Sequence, residues 1–180
     1  MKARILALAV AACALAVPVL ADNPMPYAGQ QTRQIKALSD DDIAALLKGD
    51  GMGFAKAAEL NGYPGPKHVL DLAGQLKLTE AQRQQIQAIF VKMSAAAKPL
   101  GAQLVARERV LDQLFQKGEI TPDRLAAETA GIAELQGRLR DVHLSAHLET
   151  KALLTADQIA LYEQLRGYGH PDMPMQHHQG

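Results

Sequence analysis

An all-α fold, built on a long antiparallel helical hairpin with short flanking helices, is what this sequence predicts, and three observations carry the prediction. Apolar or small residues step by seven along two long segments, Ile86, Met93, Leu100 and Leu114 with Phe90, Ala97, Leu104 and Leu111 in the first, and Leu125, Ile132, Leu139, Ala146 and Leu153 in the second. Helix-start chemistry opens both segments, and only Gly118 to Thr121 separates them, so the two helices must double back on each other. The interior must be filled largely by alanine and leucine, because there are three Phe, four Tyr and no Trp. Such composition suits helices packed closely on helices.

The chain begins with Lys2 and Arg4 ahead of an apolar run from Ile5 to Leu20, then Ala21 and a polar stretch, which reads as a secretory signal peptide over residues 1–21. The run is short for a membrane span, so no stable membrane insertion is expected once it is removed. Val10-Ala11-Ala12-Cys13 resembles a lipoprotein box, but cleavage there would leave only Ile5 to Ala12 as the apolar region, and lipidation of Cys13 is the weaker reading. A periplasmic location follows. Because Cys13 is the single cysteine, the mature chain would hold no thiol, which excludes disulfides, thiolate zinc sites and cysteine nucleophiles. Without Lys2 and Arg4 the nineteen basic residues fall to seventeen against nineteen acidic ones, a net charge of −2, and no basic field is present to hold nucleic acid.

Residues 22–38 carry Pro24 and Pro26 and read as an extended N-terminal arm; residues 39–166 form the helical domain. Ser39 is a helix cap, with Asp40, Asp41 and Asp42 in the first turn facing the positive end of the helix dipole, and Gly49 stops the helix. Phe54 to Leu60 is a second short helix, broken by Asn61-Gly62-Tyr63-Pro64-Gly65-Pro66, and Pro66 leads a third that should reach about Leu76. Thr79 with Gln82 is a capping-box pair, and the helix it opens should bend near Ala95, whose carbonyl Pro99 leaves without a partner. Thr121 and Pro122 start the second long helix, and Thr155 with Gln158 starts the last, which ends before Gly167. Residues 167–180 have no periodicity and read as a flexible tail containing His and Met. Each apolar stripe is too narrow to be buried by the hairpin alone, so cover must come from the short helices, a second copy, or both.

Leu78-Thr79-Glu80-Ala81-Gln82 and Leu154-Thr155-Ala156-Asp157-Gln158 are two copies of an L-T-x-x-Q element, 76 positions apart, flanking the hairpin. In this the chain resembles the Spy/CpxP and heavy-metal-resistance superfamily of periplasmic proteins, over roughly residues 40–166. The resemblance implies a four- or five-helix fold, frequently a homodimer, in proteins that act as ATP-independent chaperones, as restraints on envelope-stress signalling proteins, or as sensors and buffers of zinc, nickel, cobalt or copper. In physical terms Thr79, Gln82, Thr155 and Gln158 are helix caps and are not counted as a functional site.

His143 and His147 lie four apart on the second long helix, one turn apart on one face, at the edge of its apolar stripe, a spacing that suits a shared metal ion. Met52, Glu59 and His68 are candidates to complete the ligand set. The tail concentrates His170, Met173, Met175, His177 and His178; imidazole with thioether suits copper, imidazole with carboxylate zinc or nickel. An enzyme is not expected: Ser145, though between the two histidines in sequence, is turned away from both on the helix, and Gly51-Met52-Gly53 lacks the strand that a phosphate-binding loop requires. The reading is therefore a non-enzymatic, metal-responsive periplasmic protein, with a holdase for unfolded clients, or a regulatory module acting on an envelope-stress sensor, as the alternative.

Overall fold

The computed structural model describes residues 25–168. They contain six α-helices, α1 (Asp40–Lys48), α2 (Lys56–Glu59), α3 (Pro66–Asp71), α4 (Glu80–Gln116), α5 (Pro122–Lys151) and α6 (Ala156–Leu165), and no strand among the described residues. No described helix is long and apolar enough to cross a membrane. The chain divides at residue 31 into two units. In the first, the described residues from Met25 form turns that lead into a 3₁₀ helix, Gln30–Thr32, tied by Gln30 Nε2 donating to the Pro26 carbonyl. The second unit holds the helices, together with Ile35, which is fully buried within the stretch read from sequence as an extended arm.

The predicted helix starts are made by the residues that signalled them. Ser39 Oγ accepts from Asp42 N while an Asp42 carboxylate oxygen accepts from Ser39 N, and the Ser39 hydroxyl and then the Ser39 backbone N–H, both donating to that carboxylate, hold it below the usual carboxylate range. Thr79 with Gln82 and Thr155 with Gln158 close the same reciprocal box on α4 and α6, and Thr121 caps α5. α3 is shorter than expected: it ends at Asp71, and turns carry the chain to Leu78. α4 runs through Pro99 without a break.

α4 and α5 form the antiparallel hairpin, and the short helices pack against its open end. α1 crosses α4 at Gly101, where an added β-carbon would lie 2.1 Å from the Leu46 carbonyl oxygen, so the backbones meet directly. The core falls into two parts. Ile35, Leu46, Ala97, Leu100, Leu104, Val105, Ile132, Leu135 and Leu139 form one; Val69, Leu76, Ile86 and Tyr162 form the other, under α3 and α6. His143, His147 and Thr150 are the buried polar residues of α5.

Candidate functional site

The second copy of L-T-x-x-Q meets the first. Gln82 Nε2 donates to the Leu153 carbonyl and to Gln158 Oε1, while Gln158 Nε2 donates to the Leu76 carbonyl and to Gln82 Oε1. Each side-chain oxygen also accepts the backbone N–H of its own Thr, at 3.0 Å in both boxes. The paired amides thus satisfy carbonyls at the ends of two turns and tie the start of α4 to the start of α6. From the sequence the two glutamines are two independent caps; that they cap each other depends on the hairpin returning the chain to its origin.

Along α5 from this junction lies the histidine pair. Both imidazoles are more deeply set than the edge of an apolar stripe would place them, because the loops before and after α2 lie over them. His143 is 3% exposed, its ring stacked on Phe54 with centroids 6.1 Å apart, and Gly51 passes beside it. Its Nε2 is buried and has no hydrogen-bond partner. Burial, and then the nearness of His147, push the His143 imidazole below its ordinary value, with Asp50 opposing.

His147 is held by the loop after α2. Its Nδ1 lies 2.7 Å from the Tyr63 carbonyl. A carbonyl can only accept, so Nδ1 is the donor of this contact, and the neutral ring so held presents the lone pair at Nε2. Gly65 lies against the other edge of the ring, where a β-carbon would be 2.8 Å from Nε2, so this loop position requires glycine. Glu59 Oε2 is 3.8 Å from His147 Nδ1 and has no hydrogen-bond partner. The other oxygen of Glu59 accepts from Tyr162 at 2.6 Å and faces Arg166 Nε at 3.4 Å. Burial and the Glu59 carboxylate raise the Tyr162 hydroxyl far above the usual phenol range, so it serves as a permanent donor. Arg166 in turn donates to Tyr168.

Of the other candidates, Glu59 is brought to His147, as described. His68 is half-buried on α3, 3.8 Å from Asp71, and burial followed by the Arg166 charge lowers its pKa. Met52 is exposed, with a left-handed φ of 42° between two glycines. Among the described residues no three His, Cys, Asp or Glu side chains converge as a group able to hold a metal ion. His170, Met173, Met175, His177 and His178 lie outside the described residues, as does the segment read as a signal peptide. Tyr63, Tyr162 and Arg166 were not singled out from sequence; the one available signal was the Pro64-Gly65-Pro66 break, which marks a place where backbone approaches something closely.

What the described arrangement offers chemically is a buried, unpartnered imidazole nitrogen on His143 and, one helical turn away, a second imidazole with a carboxylate oxygen of Glu59 3.8 Å from its Nδ1. A family model described as LTXXQ motif family protein matches residues 66–166, a span that takes in both motifs, the hairpin and the histidine pair. No curated protein and no solved structure gives a significant match.

Proposed function

The chain belongs to the LTXXQ motif family, the Spy/CpxP-like heavy-metal-resistance family, and from that premise we propose that it is a non-enzymatic periplasmic protein that binds a transition metal ion under envelope stress. His143 and His147 are the body's ligands in this reading, with His170, Met173, Met175, His177 and His178 of the tail as the further donors. The observation that carries it is the buried Nε2 of His143, which has no partner, one helical turn from an imidazole whose Nδ1 is held by the Tyr63 carbonyl. Buried polar atoms are ordinarily satisfied, and an imidazole nitrogen is a donor for zinc, nickel, cobalt or copper. The carbonyl that fixes the His147 tautomer is the kind of outer contact that orients a metal-ligating histidine.

Calorimetric titration of the full chain with each of these metals tests the reading. We expect binding heat that falls at least tenfold in affinity in the His143→Ala/His147→Ala variant, with circular dichroism confirming that the variant is folded. A variant with the tail histidines and methionines replaced by alanine separates the second contribution. Heat unchanged in both variants would remove the proposal.

A holdase or docking reading has its own observation. Between α4 and α5 an open groove of about 690 Å³ has an apolar floor of Ala96, Pro99, Leu100 and Val142 and a polar rim that includes Glu134, Arg138 and Asp141, and a cavity of about 270 Å³ adjoins it around Met93 and Ala146. An unfolded client, a stress-sensor protein or a second copy in a homodimer would find apolar surface there. Suppression of client aggregation by the metal-free protein, retained in the double histidine variant, would favour this reading over metal binding.

A further inference from the structure

The loop that secures His147 contains a chemical weak point. The chain has two asparagines: Asn23 precedes Pro24, which has no N–H, whereas Asn61 precedes Gly62. Asn61 is exposed, and its side-chain amide is held by one exposed bond, Nδ2 donating to the Ala57 carbonyl at 2.7 Å. The backbone N–H groups on either side, of Asn61 and Tyr63, both donate to the Ala58 carbonyl, but that of Gly62 makes no hydrogen bond among the described residues. Gly62 has no side chain to shield its nitrogen and adopts a φ of 74°, in a turn outside any helix.

We propose that Asn61-Gly62 is a site of spontaneous deamidation in the folded protein, and that the isoaspartyl product loosens the loop which holds His147. In the first step Gly62 N, giving up its proton to water, attacks Asn61 Cγ; the new C–N bond closes a five-membered succinimide as the Cγ–Nδ2 bond breaks and ammonia leaves. Water then opens the ring at either carbonyl, returning the chain as aspartate or as isoaspartate. The second product routes the backbone through the former side chain and adds one methylene to the main chain at residue 61, with Gly62 alone between it and Tyr63. That position bears on three contacts: the Tyr63 carbonyl accepts from His147 at 2.7 Å, Lys151 Nζ lies 3.7 Å from the Tyr63 ring centroid, and Gly65 abuts the His147 ring. A loop fixed at so many points within three residues cannot absorb an extra backbone atom without moving some of them.

The test ages the full chain at mildly alkaline pH, folded in buffer and unfolded in urea, and follows the tryptic peptide between Lys56 and Lys67 by mass spectrometry. The expected result is conversion of Asn61 to aspartate and isoaspartate in the folded protein at a rate within tenfold of that in urea, with isoaspartate in excess. Full conversion in urea with an unchanged peptide in the folded sample would overturn the site. Aged wild type should also unfold at a lower temperature than fresh protein, while an Asn61→Gln variant aged in parallel keeps its midpoint. An aged wild type whose midpoint has not moved despite conversion would overturn the effect on the loop.

Discussion

The two ends of the hairpin carry the same sequence pattern and different physics. At the open end, α5 buries Leu135, Leu139, His143, Ala146, His147 and Thr150. Toward the connection, no residue from Ala106 to Gly131 is buried, and Phe115, Val110 and Leu125 are 56%, 43% and 40% exposed although they belong to or flank the same stripes. What holds that end is polar and mostly exposed: the Thr121 cap, the Arg107–Glu128 ion pair, Arg124 donating to the Glu119 carbonyl, and Lys36 against Asp112. A seven-step stripe states that a helix can bury one face; whether it does depends on what lies over it. Here the short helices supply cover only to the open end, so that end can also enclose polar groups, and the histidine pair sits there.

Changes at the open end should be felt most strongly. Gly101→Ala places a β-carbon against the backbone of α1 and should lower stability by about 3 kcal/mol in urea unfolding; a loss under about 1 kcal/mol would mean that α1 is free to shift and the cover is loose. Tyr162→Phe leaves the half of Glu59 that it served without its donor, at a cost of about 2 kcal/mol. Gly137→Ala, on the exposed face of α5 with nothing within 4 Å of the added carbon, should act in the opposite direction and stabilise by about 1 kcal/mol through helix propensity.

Protonation sharpens the same contrast. His143 in the folded protein lies below its ordinary value, so on acidification the unfolded chain takes up a proton before the folded one does. Stability should therefore be fully present above about pH 6.5 and fall as pH drops through that value, in the metal-free protein. His68, lowered in the same direction, adds to the fall. His143→Leu should flatten the pH dependence of the urea midpoint in this window; an unchanged slope would place its origin elsewhere. The smallest effect belongs to the far end: Arg107→Ala, breaking a partly exposed pair, should cost less than about 0.5 kcal/mol. Amide exchange over residues 106–131 should nonetheless be markedly faster than over residues 135–150, since few buried contacts oppose local opening there.

Much of this architecture is legible in residues that act locally. Ser39, Thr79, Thr121 and Thr155 cap the helices that they announce, because a cap depends only on the few residues that follow it. Ile86, Ala97, Leu100, Leu104, Ile132, Leu139 and Ala146, read as stripe residues, are buried as the period requires. Other features were not legible. Gly101 and Val105 are buried outside the stripes because α1 also packs on α4, and α3 stops short of its expected end. The histidines, which periodicity places at a boundary, lie beneath loops whose paths no local rule describes.

Sequence alone thus determined the all-helical class, the hairpin and its caps, and the family, since each rests on spacing along the chain. Only the tertiary structure decided that Gln82 bonds Gln158, that Glu59 faces His147 and bonds Tyr162, and that one end of the hairpin is covered while the other is bare. Those pairs are separated by 76 to 103 positions. Contacts at such distances are set by how the helices return on one another, and that return is fixed by the summed burial of the whole core rather than by any single segment.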